Sequence, residues 1–253
     1  MRARSACWSS PRHPNCDTEV RSLALHPRVA MAIFAHPDDA DVAAGGLLAQ
    51  WADEGCAVHL VVVCDGAKGA HVPVDSAYLA EVRHRELESA AQLLGASTVV
   101  NLGQPDGEVD NDLALRATLV ELVRSRRPEV VVGPDPTATF FAGVYINHHD
   151  HRATGWALLD AVAPAAAMPL YFPDRGAPHQ VGRLLLSGTH EPDVVADVTH
   201  VIDRKVAAVL THSSQLGDDT EAIRDVVYER AAQAGRLTGV AYGEAFRHVE
   251  LDF

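Results

Sequence analysis

The sequence predicts an α/β fold in which helices flank a mostly parallel, Rossmann-like sheet. Short β-branched and apolar runs alternate with longer segments of helical character, which is typical of βαβ units joined by right-handed crossovers. The 253-residue chain is 47% hydrophobic, which is enough for one large core. His and Asp residues follow the first apolar run, at a strand end where open parallel sheets bind ligands. These observations predict a site at the C-terminal ends of the strands.

The first half of the chain carries the clearest pattern. Strands are predicted at residues 29–35, 58–64, 98–102 and 130–132. Helices are predicted at residues 43–54, about 75–94 and about 112–126. Gly55 and Gly95 end the first two helices, and Pro128 stops the third. Asp75 or Ser76 is the predicted cap of the second helix.

The second half begins with a long loop at residues 133–150, which contains two prolines and two adjacent phenylalanines. Loops of this length inside a compact domain are often functional. Beyond the loop, a strand is predicted near 183–187, and helices are predicted at about 151–162, 201–212 and 221–234.

Residues 1–27 form a separate compositional segment. They are rich in Arg, Ser, Pro and Cys and show no apolar periodicity, so we predict a poorly ordered extension. Residues 28–253 are predicted to form a single domain.

Charge and hydropathy limit the expected partners. The formal net charge of −13 opposes binding to a phosphate backbone, which needs clustered Lys and Arg. No apolar run approaches the roughly 18 residues of a membrane span, and no apolar segment follows the basic start as in a signal peptide. We therefore expect a small-molecule substrate and neither a nucleic-acid nor a membrane partner. A homo-oligomer remains open.

The four cysteines, Cys7, Cys16, Cys56 and Cys64, show no CxxC spacing. We expect free thiols and a cytoplasmic location. The alternative is a disulfide between Cys7 and Cys16.

Two His- and Asp-rich segments predict a hydrolytic metal site. Catalytic zinc needs about three protein ligands and one open position. His36 and Asp39 lie three residues apart across a proline-bent turn, and His151 can complete the triangle. Asp38 is left to face the open position. Each segment alone is ambiguous, since a His-Pro-Asp-Asp turn is often only a capped loop. Two such segments at strand-to-helix junctions favour a metal site.

These segments and several later motifs resemble the signature of the PIG-L/LmbE-like de-N-acetylases. The resemblance covers about residues 29–248. It rests on an ordered series of matches: Ala35-His36-Pro37-Asp38-Asp39 with Gly45-Gly46, Arg83-x-x-Glu86, Leu102-Gly103-Gln104-Pro105-Asp106-Gly107, His148-His149-Asp150-His151-Arg152-Ala153, Lys205-x-x-Ala208 with His212-Ser213-Ser214-Gln215, and Gly243-Glu244-x-Phe246.

The resemblance implies the metal ligands and the base. His36, Asp39 and His151 would be zinc ligands, and Asp38 would be the general base. The same donor set also suits Fe²⁺. An additional carboxylate beside the ligands favours hydrolysis over oxygenase chemistry.

The later motifs imply further roles. His148 would be the electrophilic or general-acid residue, and Asp150 would orient it. Arg83 and Asp106 match positions that shape the substrate pocket.

Two residues depart from the family pattern. Ala40 stands where many members carry an acidic residue, and His149 stands where proline is usual. The first departure alters the electrostatics around the ligands, and the second adds another imidazole near the site.

The predicted activity is metal-dependent removal of an acetyl group from an N-acetylated amino sugar or glycoside, which releases acetate and a free amine. One alternative is an amidase that cleaves a larger amide such as a mycothiol S-conjugate. Another is a binding protein of the same fold without the chemistry. Loops 65–78 and 133–147 would decide between the two enzymes.

Overall fold

A computed structural model describes residues 19–70, 72–217 and 219–252. Its centre is an eight-stranded sheet with the strand order β1-β9-β10-β8-β5-β2-β3-β4. The strands are β1 (Arg21–Ser22), β2 (Val29–Phe34), β3 (Ala57–Cys64), β4 (Thr98–Gln104), β5 (Val130–Pro134), β8 (Arg183–Ser187), β9 (Val194–Asp197) and β10 (Gly243–Glu250). The hairpin strands β6 (Phe140–Phe141) and β7 (Tyr145–Ile146) form a separate two-stranded sheet.

The sheet is mostly parallel, as predicted. Within the described residues, β10 pairs antiparallel with β8 and β9, while the other pairings of the large sheet are parallel. From β2 the chain moves outward through β3 to β4, whereas β5 lies on the other side of β2. The carboxyl ends of β2 and β5 therefore flank the topological switch point, where open α/β sheets bind ligands.

Helices cover both faces of the sheet. They are α1 (Asp39–Asp53), α2 (Ser76–Leu94), α3 (Leu113–Arg126), α4 (His149–Asp160), a π-helical turn (Ala161–Ala166), α5 (Ile202–Leu210), α6 (Ser213–Leu216) and α7 (Thr220–Gly235). The predicted boundaries of α2 are confirmed. The Asp75 side chain accepts a hydrogen bond from the Tyr78 backbone, and Gly95 adopts the left-handed conformation at the C-cap.

Alternate residues of β2 feed two separate cores. Ala32 and Phe34 pack with α1 and α2 on one face, and Met31 and Ile33 pack with α3 and α4 on the other. This burial on both faces explains why the central strands are continuous apolar runs.

The first described residues belong to the fold, which corrects part of the predicted extension. Strand β1 pairs in parallel with β9. Leu23 and Leu25 pack against the core, and Trp51 Nε1 donates a hydrogen bond to the Leu25 carbonyl at 2.8 Å. The predicted boundary at residue 27 is therefore too late, because a two-residue strand leaves no periodic pattern in the sequence.

The structure describes two of the four cysteines. Cys7 and Cys16, the alternative disulfide pair, lie outside the described residues. Cys56 and Cys64 are buried free thiols. Among the helices that the structure describes, none is both long and apolar enough to cross a membrane.

Candidate metal centre

The first part of the site is the turn between β2 and α1. The backbone N–H of His36 donates to Asp39 Oδ2 at 2.8 Å. This bond folds the turn so that the His36 imidazole and the Asp39 carboxylate lie side by side. The His36 side chain is almost fully buried, and the Asp39 side chain is only 18% exposed.

The second part is the start of α4, which follows the long loop after β5. His151 lies in the first turn of α4, and its Nδ1 is 2.9 Å from Asn147 Oδ1. The Asn147 side-chain amide donates to the carbonyl of Ala138 at 2.9 Å, so its oxygen faces His151. His151 Nδ1 is therefore the donor, and the Nε2 lone pair is left free.

The three predicted ligands converge on one point. His36 Nδ1 is 3.0 Å from His151 Nε2 and 3.4 Å from Asp39 Oδ2. His151 Nε2 is 3.1 Å from Asp39 Oδ1. A tetrahedral site with metal–ligand distances of about 2.0–2.1 Å has ligand–ligand edges of about 3.3–3.4 Å. The observed separations are close to these edges.

The carboxylates beside the far nitrogen of His36 also fit a metal ion. Its Nε2 lies 3.4 Å from both Asp106 Oδ1 and Asp150 Oδ2. Carboxylates that hold the far nitrogen of an imidazole fix the tautomer whose near nitrogen binds metal. Lone pairs of His36 and His151 then face each other across 3.0 Å beside a carboxylate. Such an arrangement is repulsive unless a proton or a metal ion lies between the two nitrogens.

The electrostatics agree with this geometry. Burial alone would lower the pKa of His36, but Asp39, Asp106 and Asp150 raise it far above its usual value. Burial would raise the pKa of Asp39, but His151 and His36 hold it well below its usual range. The cluster therefore keeps its carboxylates ionised and attracts positive charge.

Asp38, the predicted base, is held from one side. Its Oδ1 accepts a hydrogen bond from Arg83 Nη2 at 2.7 Å. Arg83 is 3% exposed and also donates to the Gly66 carbonyl at 3.0 Å. The Asp38 side chain is 27% exposed. It lines an open cleft that His36, Asp39 and His151 also line. Arg83, predicted to shape the substrate pocket, thus contacts the candidate base.

His148 caps α4 with its own ring. Its Nδ1 accepts a hydrogen bond from the backbone N–H of Asp150 at 3.2 Å, so the neutral ring carries its proton on Nε2. Burial and the nearby His36 charge lower the pKa of His148, which favours that neutral form. The side chain is 43% exposed and lines the same cleft as the ligands.

The carboxylate of Asp150 serves other partners. It accepts from the backbone N–H groups of Gly107 and Val109 at 2.7 and 3.2 Å, and its Oδ2 is 3.8 Å from His148 Nδ1. Asp150 thus contacts His148 through its backbone N–H and His36 through its carboxylate.

Asp106 closes the polar side of the site. Burial would raise its pKa, but His36 and the Lys68 backbone N–H lower it to about 2. That N–H donates to Asp106 Oδ2 at 2.9 Å. The carboxylate therefore remains charged and accessible from the cleft.

The two departures from the family pattern do not alter the ligand triangle. Ala40 is fully buried in the core. His149 is half-exposed, and its Nε2 lies 3.8 Å from Asp110 Oδ1. In the described residues, neither belongs to the groups able to hold a metal ion.

A buried ion pair between α5 and β10 holds the backbone of α1 in place. The sequence analysis gave this pair no role. Lys205 Nζ lies 2.5 Å from Glu244 Oε1 and donates to the Val42 carbonyl at 2.8 Å. Glu244 accepts from the backbone N–H groups of Gly46 and Leu47. Both charged residues lie in motifs that resemble those of the family, and this was the available clue to their role.

The sequence analysis also assigned no role to the buried pair of His212 and Asp41 or to Asn147. His212 Nε2 is 2.7 Å from Asp41 Oδ2, and both side chains are fully buried. Asn147 precedes His151 by four residues, the spacing of neighbours on one helix face. That spacing was the available clue to its role as the partner of His151.

Two clefts meet at the metal centre. The smaller has a volume of about 410 Å³ and is polar, with Lys68, Arg83, Asp106, His148 and Gln215 in its wall. The larger has a volume of about 580 Å³. Asp38, Asp39, Tyr145 and His151 line both clefts.

Known proteins share this sequence and architecture. Residues 31–162 match the family described as PIG-L, GlcNAc-PI de-N-acetylase. A diacetylchitobiose deacetylase of Thermococcus kodakarensis is 30% identical, covering 87% of this chain and 82% of the relative. A 4-oxalmesaconate hydratase of Pseudomonas putida is 26% identical, covering 92% and 90%.

A solved structure gives the same result. N,N'-diacetylchitobiose deacetylase from Pyrococcus horikoshii superposes with a TM-score of 0.81 at 29% identity, covering 88% of this chain and 84% of that one. The predicted family is thus confirmed by sequence and by fold. The chain belongs to the PIG-L family of GlcNAc-PI de-N-acetylases.

Proposed function

We propose that this protein is a metal-dependent hydrolase that removes the acetyl group from an N-acetylated amino sugar, releasing acetate and a free amine. The observation that carries the proposal is the convergence of His36, Asp39 and His151 beside Asp38 in an open cleft. The related diacetylchitobiose deacetylase supports a sugar substrate.

His36 Nδ1, Asp39 and His151 Nε2 would hold the ion. Two imidazoles and one carboxylate suit Zn²⁺, with Fe²⁺ as the alternative. When bound, such an ion supplies Lewis acidity and makes water acidic enough to act as a nucleophile near neutral pH.

Asp38 would act as the general base. Arg83 binds its Oδ1, so the proton taken from the attacking water goes to Oδ2. The same carboxyl group then returns a proton to the nitrogen as the C–N bond breaks. One water is consumed, and acetate and the amine are the products.

His148 would stabilise the charge that develops on the amide oxygen. Its Nδ1 accepts from the Asp150 backbone, so Nε2–H is the group available to donate. A fixed donor aimed at a developing oxyanion typically contributes a factor of about 10²–10³. Asp150 and Asn147 would position the residues that act.

The hydratase relative raises a second reaction class that also adds water. The name of its substrate indicates a polycarboxylate. Here the cleft holds the carboxylates of Asp38, Asp39 and Asp106, the Arg83 charge is paired with Asp38, and the chain has a formal charge of −13. Lys68, the other Lys or Arg side chain in the wall of this cleft, is paired with Glu108. Because both cationic side chains are already paired, the cleft suits a neutral sugar amide better than a polyanion. Cleavage of a larger amide remains the alternative within hydrolases.

The test is free-amine and acetate release from N-acetylglucosamine and N,N'-diacetylchitobiose, with and without added Zn²⁺. We expect equal amounts of the two products and loss of activity after chelation. Asp38→Asn is the control for background hydrolysis. Absence of amine release from either sugar with the metal-loaded protein would contradict the proposal.

A further inference from the structure

The larger cleft at the metal centre has no role in the reaction described so far. Its wall is mainly apolar and includes Val42, Ala43, Pro134, Phe141, Val144 and Tyr145. Three of these residues belong to the β6–β7 hairpin region, which forms one side of the cleft. Its volume of about 580 Å³ lies within the range of about 300–1,000 Å³ typical of pockets that bury drug-sized ligands.

The position of this cleft links it to the reacting bond. Asp38, Asp39 and His151 line this cleft and also the polar cleft. An amide bound beside these residues has two arms, the acyl group and the group attached to nitrogen. The two clefts offer one space for each arm.

The chemistry of the walls decides which arm enters which cleft. The hydroxyl groups of a sugar need several hydrogen-bond partners, which Lys68, Asp106 and Gln215 provide in the polar cleft. His148, the candidate donor to the amide oxygen, also lies there. The apolar cleft is therefore left for the acyl arm, and an acetyl methyl group would fill only a small part of it.

We propose that the apolar cleft binds the acyl chain and that the preferred substrate is an N-acyl amino sugar with an acyl group longer than acetyl. This inference rests on the proposed function, because it assumes amide hydrolysis at the same centre. The reaction remains balanced: water adds to the amide carbon, the C–N bond breaks, and a fatty acid replaces acetate as the product.

The test uses glucosamines acylated with two-, four-, six- and eight-carbon chains, and free-amine release is the readout. Full burial of one CH₂ group contributes about 0.8 kcal/mol, which corresponds to about fourfold in kcat/KM. We expect a rise of about two- to fourfold per added CH₂ until the cleft is filled.

Two variants probe the cleft itself. Val42→Trp places an indole in it, and the ratio of eight-carbon to two-carbon kcat/KM should fall at least tenfold. Val144→Asp places a charge in the cleft at a position that is 89% exposed, so folding is unaffected and the same ratio should fall. Leu93→Trp is the matched control, since Leu93 on α2 is 41% exposed, as is Val42, and lines neither cleft. It should leave every rate unchanged.

Each other outcome overturns the inference in a distinguishable way. Hydrolysis of the acetyl substrate with no gain for longer chains would refute the acyl cleft and leave the proposed function intact. A higher kcat/KM for octyl N-acetylglucosaminide than for N-acetylglucosamine, with no increase for longer acyl groups, would show that the cleft binds the aglycone instead. Failure to hydrolyse any N-acyl sugar would refute both proposals.

Discussion

Replacing Asp38 by Asn separates the chemistry of this residue from its structural contact. Asparagine matches aspartate in size and can hydrogen-bond a water, but it cannot take a proton from that water near neutral pH. General-base catalysis typically contributes about 10²–10⁴-fold. We expect kcat for amine release to fall by that factor with a smaller change in KM.

The structure adds a stability effect to this prediction. Asp38 accepts a 2.7 Å hydrogen bond from Arg83, which is 3% exposed. The variant leaves a buried guanidinium without its anionic partner. A hydrogen bond to a charged group contributes about 1.5–3 kcal/mol, and about 2–4 °C of Tm corresponds to 1 kcal/mol in a chain of this size. Thermal unfolding followed by circular dichroism should show a Tm lower by about 3–12 °C.

A second substitution checks the origin of that loss. Adding Arg83→Met to Asp38→Asn removes the unpaired charge, so Tm should recover partly while activity stays low. Metal content should remain that of the parent in Asp38→Asn and fall in Asp39→Asn. The reasoning is refuted if Asp38→Asn keeps its activity within threefold of the parent. Loss of metal in Asp38→Asn but not in Asp39→Asn would exchange the two roles.

Three further predictions concern positioning and packing. Asn147→Ala frees the His151 ring and should weaken metal binding about 10–100-fold in a chelator competition, whereas Asn147→Asp keeps an acceptor and should bind nearly as well as the parent. Glu244→Ala leaves the buried Lys205 charge unpaired and should lower the free energy of unfolding by about 3–5 kcal/mol, which corresponds to about 6–20 °C in Tm. Adding Lys205→Met should restore part of that Tm, and no recovery would contradict the reasoning. A chain beginning at residue 27 should unfold several degrees below one beginning at residue 19, because it lacks β1. Equal Tm values for the two chains would show that β1 contributes nothing.

The central sheet and the clustering of His36, Asp39 and His151 were predictable because both leave strong local signals. Strands buried on both faces are apolar runs, and the parallel order brings their carboxyl ends to one edge. His36 and His151, 115 residues apart in sequence, were therefore expected at the same edge. The structure places their nitrogens 3.0 Å apart.

The remaining features depend on long-range contacts that a single sequence does not display. Strand β1 has two residues, and its partner β9 lies about 170 residues away. The contact between Lys205 and Glu244 joins α5 to β10, and no local spacing predicts that pair. The contact between Asp150 and His148 runs through the backbone N–H of Asp150, an atom that residue types alone do not indicate.

The most direct test of the metal centre is an anomalous difference map of zinc-loaded crystals, collected at the zinc absorption edge. Within the described residues, two groups of side chains are able to hold an ion, and His36 belongs to both. We predict one peak about 2.0–2.2 Å from His36 Nδ1, Asp39 and His151 Nε2. A peak on the opposite side of the His36 ring, among Asp106, His148 and Asp150, would contradict the assignment of ligands.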